Sequence, residues 1–311
     1  MRDPADLDGV AGSSDGVDEL EGTITWRALL AETEQRLQRA GVADASISAR
    51  RIIEEASGFE GAGLAAGLSE RATTRGVARL DQMVERRSDG EPLQYVVGRW
   101  GFRHLDLMVD RRVLIPRPET EIVAERALAE LRRLSAAGPT VAVDLGTGSG
   151  ALGLSLAREH ATTDVWITDV SADALDVARA NLAGLGRYGS RVRVAEGWWF
   201  AALPIDLVGQ IAVIVSNPPY VAVSEALPDE VADWEPQGAL IADADGFAAY
   251  EVLIGEAPRW LMGGGALVLE SAPHQVERLG DMASAEFVDV EAFRDLSGRP
   301  RGIVARTATG G

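Results

Sequence analysis

From Thr23 to about Arg87, apolar residues recur at spacings of three and four: Trp26, Leu29, Leu30 and Leu37, then Ile47, Ile52 and Ile53. That is the period of amphipathic helices. Gly41 and the stretch from Gly58 to Gly67 interrupt it, so residues 23–89 read as a bundle of short helices. The bundle carries no polar constellation and is expected to recognise a partner. Between Gly90 and Pro118 the pattern changes to alternation, Tyr95-Val96-Val97-Gly98 and then Leu105-Asp106-Leu107-Met108-Val109, with Gly101 placed to turn the chain. This predicts a β-hairpin linker over residues 90–118. It ends in Leu114-Ile115-Pro116-Arg117-Pro118-Glu119-Thr120-Glu121, where two prolines stiffen the chain ahead of a helix beginning near Glu119.

From Pro139 onward the pattern predicts strands and helices in alternation. Strands are expected at 140–145, 164–168, 191–195, 211–216, 266–270, 287–293 and 302–306, with helices beginning near Gly150, Ala172, Phe247 and Pro273. Helical crossovers make the first five strands parallel, and the short turn from Arg294 to Arg301 makes the last two an antiparallel edge hairpin. The fold class is α/β, a doubly wound seven-stranded Rossmann-like sheet over residues 119–311.

Composition narrows the chemistry. Among 311 residues, 46% hydrophobic, no apolar run reaches the length of a membrane helix, and the first thirty residues are acidic where a secretory signal needs a basic start. A cytoplasmic protein is expected. The absence of cysteine excludes disulfides, thiolate nucleophiles, iron–sulfur clusters and cysteine zinc sites. His104, His160 and His274 are too scattered for a paired-histidine metal motif, so no metal is expected. With 48 acids against 30 bases, the net charge of −18 repels a phosphate backbone, and direct nucleic acid binding is not expected. Part of the excess lies in residues 1–22, where Asp3, Asp6, Asp8, Asp15, Asp18, Glu19 and Glu21 face only Arg2. This segment reads as a disordered, solvating tail.

Two motifs carry chemistry. The first expected strand of the sheet runs into Asp144-Leu145-Gly146-Thr147-Gly148-Ser149-Gly150, so that only small residues meet a ligand at the turn. The next strand ends at Asp169, 19 residues beyond Gly150, where an acid accepts hydrogen bonds from ribose hydroxyls. An adenosine-type site follows. Gly148 to Gly153 also satisfies the dinucleotide pattern, but Asp144 opposes a pyrophosphate at the helix start. The same carboxylate suits the sulfonium and ammonium of S-adenosylmethionine, which the loop therefore favours over a dinucleotide.

The second motif is Asn217-Pro218-Pro219-Tyr220, closing the apolar strand Ile211 to Ser216. Consecutive prolines cannot continue the sheet, leaving carbonyls free to face a cleft. A planar amine or amide can then donate one hydrogen to the Asn217 side-chain oxygen and another to the Pro218 carbonyl, with Tyr220 stacked on the flat group. Its location on the carboxyl edge of the sheet is a ligand position in doubly wound folds.

In these residues the sequence resembles the S-adenosylmethionine-dependent methyltransferases of planar nitrogens. It more closely resembles the protein-(glutamine-N5) methyltransferases of the PrmC/HemK type. The resemblance runs from Thr23 to Arg306. It includes Glu91-Pro92-Leu93-Gln94-Tyr95 leading through Gly98 and Phe102 to Ile115–Glu121, the loop from Asp144 to Gly150, Val215–Tyr220, Glu235-Pro236, Ala239-Leu240 and Asp245-Gly246.

It implies a class I methyltransferase domain whose donor, S-adenosyl-L-methionine, meets Asp144, Gly146, Thr147, Gly148, Ser149, Gly150, Asp169, Trp199 and Asn217. Its acceptor is the glutamine of the Gly-Gly-Gln loop in class 1 peptide-chain release factors, held by Asn217, Pro218, Pro219 and Tyr220 with Phe102 and Arg117 bordering the cleft. Asn217 and Pro218 are the expected catalytic residues, and a monomer is expected. Two departures stand out: Trp198 replaces an acid usual before Trp199, leaving adenine N6 to Glu196 or backbone, and the fifth strand ends Leu269-Glu270-Ser271-Ala272 where relatives favour an isoleucine and a glycine after the acid. Other readings are an adenine-N6 methyltransferase of nucleic acid, a non-catalytic nucleoside-binding module, and a dinucleotide-dependent oxidoreductase. The last lacks an obvious catalytic histidine, cysteine or Tyr-x-x-x-Lys set.

Overall fold

The structure, a computed structural model, describes residues 21–242 and 245–309. Apart from Glu21 and Gly22, the expected acidic tail lies outside the described residues. The chain divides into two compact units between Gly90 and Glu91.

In the first unit, strand β1 (Glu21–Thr25) is followed by helices α1 (Trp26–Arg39), α2 (Ala45–Ser57) and α3 (Ala62–Gly67), strand β2 (Arg71–Thr73) and helix α4 (Thr74–Ser88). Trp26, Leu29, Leu37, Ile52 and Ile53 are buried, as the spacing predicts, together with Leu80 and Val84 of α4, whereas Ile47 is turned outward and exposed. Thr73 caps α4 by accepting the Gly76 N–H at 3.0 Å, and Gly58 ends α2 in the left-handed region at φ 74°. The β1–β2 ribbon is an addition to the expected all-helical bundle.

The second unit opens with a short helix α5 (Leu93–Val97) where alternation predicts a strand, and the hairpin is instead β3 (Arg99–Phe102) with β4 (Leu105–Met108). The remaining elements are α6 (Thr120–Leu134), β5 (Thr140–Leu145), α7 (Ala151–Glu159), β6 (Thr163–Asp169), α8 (Ala172–Gly184), β7 (Val192–Glu196), β8 (Ile211–Ser216), α9 (Asp229–Trp234), α10 (Gln237–Leu240), α11 (Ala248–Trp260), β9 (Leu261–Glu270), α12 (Val276–Ser284), β10 (Asp289–Arg294) and β11 (Pro300–Arg306). Seven strands form one sheet in the order β10-β11-β9-β8-β5-β6-β7. β5 to β9 are parallel and β11 runs antiparallel between β9 and β10.

Side chains alternate between two cores. Ala142, Val213, Val215 and Val268 join α6, α7 and α8 on one face; Val143, Ile214, Leu267 and Leu269 join α11 and α12 on the other. The chain leaves β5 toward β6 and β7, then returns to β8 on the other side of β5, which creates a switch point between β5 and β8. There the buried Ser216 hydroxyl donates to the Leu145 carbonyl at 2.6 Å, fastening the two strand ends that carry both motifs.

Candidate active site

A cavity of about 390 Å³ opens at the carboxyl ends of β5, β6, β7 and β8. Its floor is the glycine loop. Gly146, Gly148 and Gly150 all take positive φ, at 73°, 54° and 89°, a conformation that side chains bearing a Cβ resist. Asp144 organises this loop from beneath. Its Oδ2 accepts the Thr147 hydroxyl at 2.5 Å and the Gly153 N–H at 2.8 Å, while its buried Oδ1 has no partner among the described residues. Burial pushes the Asp144 carboxyl up to about 6, against the pull of Thr147 and Gly153. Asn181 on α8 secures the far side of the loop by donating to the Ser149 carbonyl at 2.8 Å.

Asp169 lies at the end of β6 on the cavity wall. Its Oδ2 accepts the Gly148 N–H and its Oδ1 the Ser171 N–H, each at 2.9 Å, so the carboxylate is fixed and retains lone pairs toward the cavity. Trp199 follows β7 with φ 46°, a strained conformation for a bulky residue, and lies 3.4 Å from where a Cβ on Gly146 would stand. Trp198 meets it edge to face at 5.8 Å and is 61% exposed at the cavity rim.

The other end of the cavity is formed by Asn217 and Pro219, the loop from Arg112 to Arg117, Thr120, and Pro236, Gly238 and Ala239. Among the described residues no hydrogen bond engages the Asn217 amide or the Pro218 carbonyl. Behind this wall Glu270 is buried, its Oε2 without a partner among the described residues, and burial pushes its carboxyl up to about 7. Arg117 is paired with Glu235, a residue to which sequence reasoning gave no role, and Arg112 with Asp110 at 2.6 Å.

The structure therefore brings Gly146, Thr147, Gly148, Ser149, Asp169, Trp199, Asn217, Pro219 and Arg117 to one cavity. Five expected residues stand outside its lining. Asp144 and Gly150 lie under the loop, where a Cβ on Gly150 would meet the Leu154 side chain at 2.7 Å. Pro218 is buried. Tyr220 packs on the α11–α12 core, its carbonyl accepting from Gln275 Nε2 at 2.9 Å, and burial raises its hydroxyl to about 12. Phe102, expected at the cleft edge, is 1% exposed within the other core because the β3–β4 register turns it inward with Leu107.

Orphaned Asp144 Oδ1, bare loop backbone, fixed Asp169 and the Trp199 ring together fit a nucleoside carrying a cationic amino-acid tail. Residues 28–98 match the family model described as the PrmC N-terminal domain, and residues 126–233 the methyltransferase small domain. The chain is 34% identical over 289 residues to the release factor glutamine methyltransferase of Agrobacterium fabrum, covering 92% of this chain and 98% of that one. To the protein of the same name from Deinococcus radiodurans it is 36% identical over 285 residues, covering 91% and 99%. Among solved structures, the hMettl16 catalytic domain in complex with a 3'UTR hairpin shares the fold, with TM-score 0.50 and 13% identity over 78% of this chain and 86% of that one. Agreement with curated relatives that runs from the helical unit to the last strands of the sheet places this chain in the release factor glutamine methyltransferase family.

Proposed function

We infer that this chain transfers a methyl group from S-adenosyl-L-methionine to the side-chain amide nitrogen of a release-factor glutamine, the one in the Gly-Gly-Gln loop of class 1 factors. The observation that carries the reading is the Asn217 amide, without a partner among the described residues, on the same cavity as the glycine loop and Asp169. Bound in that loop, the donor supplies an electrophilic methyl on a sulfonium. Gly146 to Ser149 line its methionine part above Asp144, Asp169 holds the ribose hydroxyls, and Trp199 stands beside the base.

An amide nitrogen is a poor nucleophile because its lone pair is delocalised into the carbonyl. Asn217 Oδ1 and the Pro218 carbonyl accept its two hydrogens and fix the amide plane, which turns the nitrogen toward the methyl. As nitrogen gains positive charge its N–H groups become more acidic, so the same two acceptors bind the transition state better than the ground state. The proton is held at Asn217 Oδ1 until it passes to water.

The helical unit at residues 23–89 serves recognition of the release factor, supported by its match to the PrmC N-terminal domain. We take the acting form to be a monomer, and the net charge of −18 supports a protein acceptor over nucleic acid. Among the described residues no helix is long and apolar enough to cross a membrane, and we place the reaction in the cytoplasm.

The test is transfer of labelled methyl to a release factor, wild type against a glutamine-to-alanine change in its Gly-Gly-Gln loop. Label on the wild type alone is the expected result. No label on the wild-type factor, with the donor bound, would refute the acceptor.

A further inference from the structure

We propose that Glu235 is a positioning residue for the methyl acceptor, joining the two walls of the cavity beside Asn217 and holding Arg117 in place; this rests on the function inferred above. Glu235 follows α9 on the long connection between β8 and α11, 118 residues from Arg117 and 120 from Ile115 in sequence. Its side chain is 1% exposed. Oε2 accepts the Ile115 N–H at 3.1 Å, and Oε1 accepts from Arg117 Nη2. Both walls so joined line the cavity: Leu114, Pro116 and Arg117 on one side, Pro236, Gly238 and Ala239 on the other. The Arg111 guanidinium, 4.2 Å over the ring of Trp234, the residue before Glu235, ties the same two segments.

The connection is also fastened where it leaves the catalytic turn. The Val221 N–H donates to the Leu240 carbonyl, and the Ala242 N–H to the Val221 carbonyl, each at 3.0 Å. Chain between these points is thus anchored immediately after Tyr220 and again at Glu235. Pro236, Gly238 and Ala239 face the cavity between the two anchors.

A buried ion pair is weak evidence for stability, because apolar side chains of like volume join two segments at least as well. What a carboxylate adds is direction. It satisfies a buried backbone N–H and fixes one edge of a planar guanidinium, whose remaining donors have no partner among the described residues. Asn217 Oδ1 and the Pro218 carbonyl meet the hydrogens of the acceptor amide, whereas an approaching glutamine loop also brings carbonyl oxygens that need donors. Arg117, held by Glu235, presents donors on that wall.

The experiment compares Glu235→Ala, Glu235→Gln, Arg117→Gln and the Gln/Gln double variant. It reads kcat and KM for the release factor, calorimetric Kd for S-adenosylhomocysteine, and thermal unfolding. Glu235→Ala should lower kcat/KM on the order of 10²-fold, mainly through KM, with Kd for S-adenosylhomocysteine within about twofold of wild type. Glu235→Gln keeps an oxygen for the Ile115 N–H and should recover part of the loss. Adding it to Arg117→Gln should cost little more than Arg117→Gln alone.

An unchanged KM in folded variants would overturn the proposal, as would loss of S-adenosylhomocysteine affinity in step with KM. If Glu235→Ala does not fold, Glu235→Gln and the double variant decide. A wild-type enzyme unable to methylate the release factor would overturn the functional reading and this one with it. An active wild type with unaffected variants overturns this one alone.

Discussion

At Gly153 α7 lies against the sheet, and substitution by alanine sets two known effects against each other. A Cβ at Gly153 would stand 2.3 Å from Ile167 Cγ2 and 3.1 Å from both Cβ and Oδ2 of Asp144. Carbon atoms in contact prefer about 3.5–4.0 Å, so α7 and β6 must part by roughly an ångström, or Ile167 must leave its rotamer. Ile167 is fully buried and has little room to yield. Overpacking of this kind costs about 1–3 kcal/mol. Alanine recovers about 1 kcal/mol of helix propensity over glycine. With the clash at the upper end of its range, Gly153→Ala should lose about 1–2 kcal/mol and lower the melting temperature by roughly 2–8 °C.

Gly280 in α12 is the matched control, with nothing within 4 Å of its would-be Cβ. Gly280→Ala should stabilise by up to about 1 kcal/mol. The two variants also differ in binding. The Gly153 N–H donates to the Asp144 oxygen that also holds Thr147, so shifting α7 disturbs the glycine loop and should weaken S-adenosylhomocysteine binding, while Gly280→Ala leaves it unchanged. Thermal unfolding by circular dichroism and titration calorimetry measure both. A Gly153→Ala protein as stable as wild type, with unaltered affinity, would refute the close helix–strand contact.

Asn217→Ala should reduce methyl transfer by at least about 10²-fold with little change in melting temperature, and retention of most activity would sink the proposed amide geometry. The raised Glu270 carboxyl makes a pH prediction. Its folded value of about 7 lies above the ordinary 4.5, so the folded chain keeps a proton that the unfolded chain releases, and this contribution to stability declines as pH rises from about 4.5 and levels off above about 7. Between pH 5.5 and 8, wild type should therefore lose about 2 kcal/mol relative to Glu270→Gln in urea unfolding, and a constant difference would show that the carboxyl is not held protonated. For Asp144, raised to about 6, an ammonium-bearing ligand favours the ionised form; S-adenosylhomocysteine affinity should rise with pH through that value in wild type and stay flat in Asp144→Asn. Calorimetry at pH 5.5 and 7.5 tests this, and equal pH dependence in both proteins would assign the titration elsewhere.

The sheet was legible because its strands state their environment. Ile211 to Ser216 is buried along its whole length, and a continuous apolar run bounded by turn residues has few other readings. The motif residues were legible because a doubly wound sheet gathers its strand ends at one edge whatever the helices do. Legibility ended where a residue's surroundings depend on distant chain. Tyr95-Val96-Val97 has the composition of a strand, yet Pro92 at the front and Gly98 at φ 77° behind close it into a short helix. Phe102 and Tyr220 are aromatic at plausible cleft positions, but hairpin register in one case and the α11–α12 core in the other turn them inward. Glu235-Pro236 stood out only as part of the resemblance, and its role was hidden because both partners of Glu235 lie more than a hundred residues away.

Asp144 marks the finer limit. Its position at the end of β5 predicts a carboxylate facing a cationic donor, and the structure divides that carboxylate between two tasks. Oδ2 holds Thr147 and Gly153, which shapes the loop, while Oδ1 remains buried and unpartnered. A buried carboxyl oxygen without a partner is unfavourable on its own, and the cost appears as the carboxyl's raised affinity for a proton. On the function proposed above, a cationic ligand over the loop would relieve the same penalty. Spacing and residue type reveal that an acid is needed at this strand end. Only the three-dimensional arrangement separates the oxygen that builds the loop from the one left buried without a partner among the described residues.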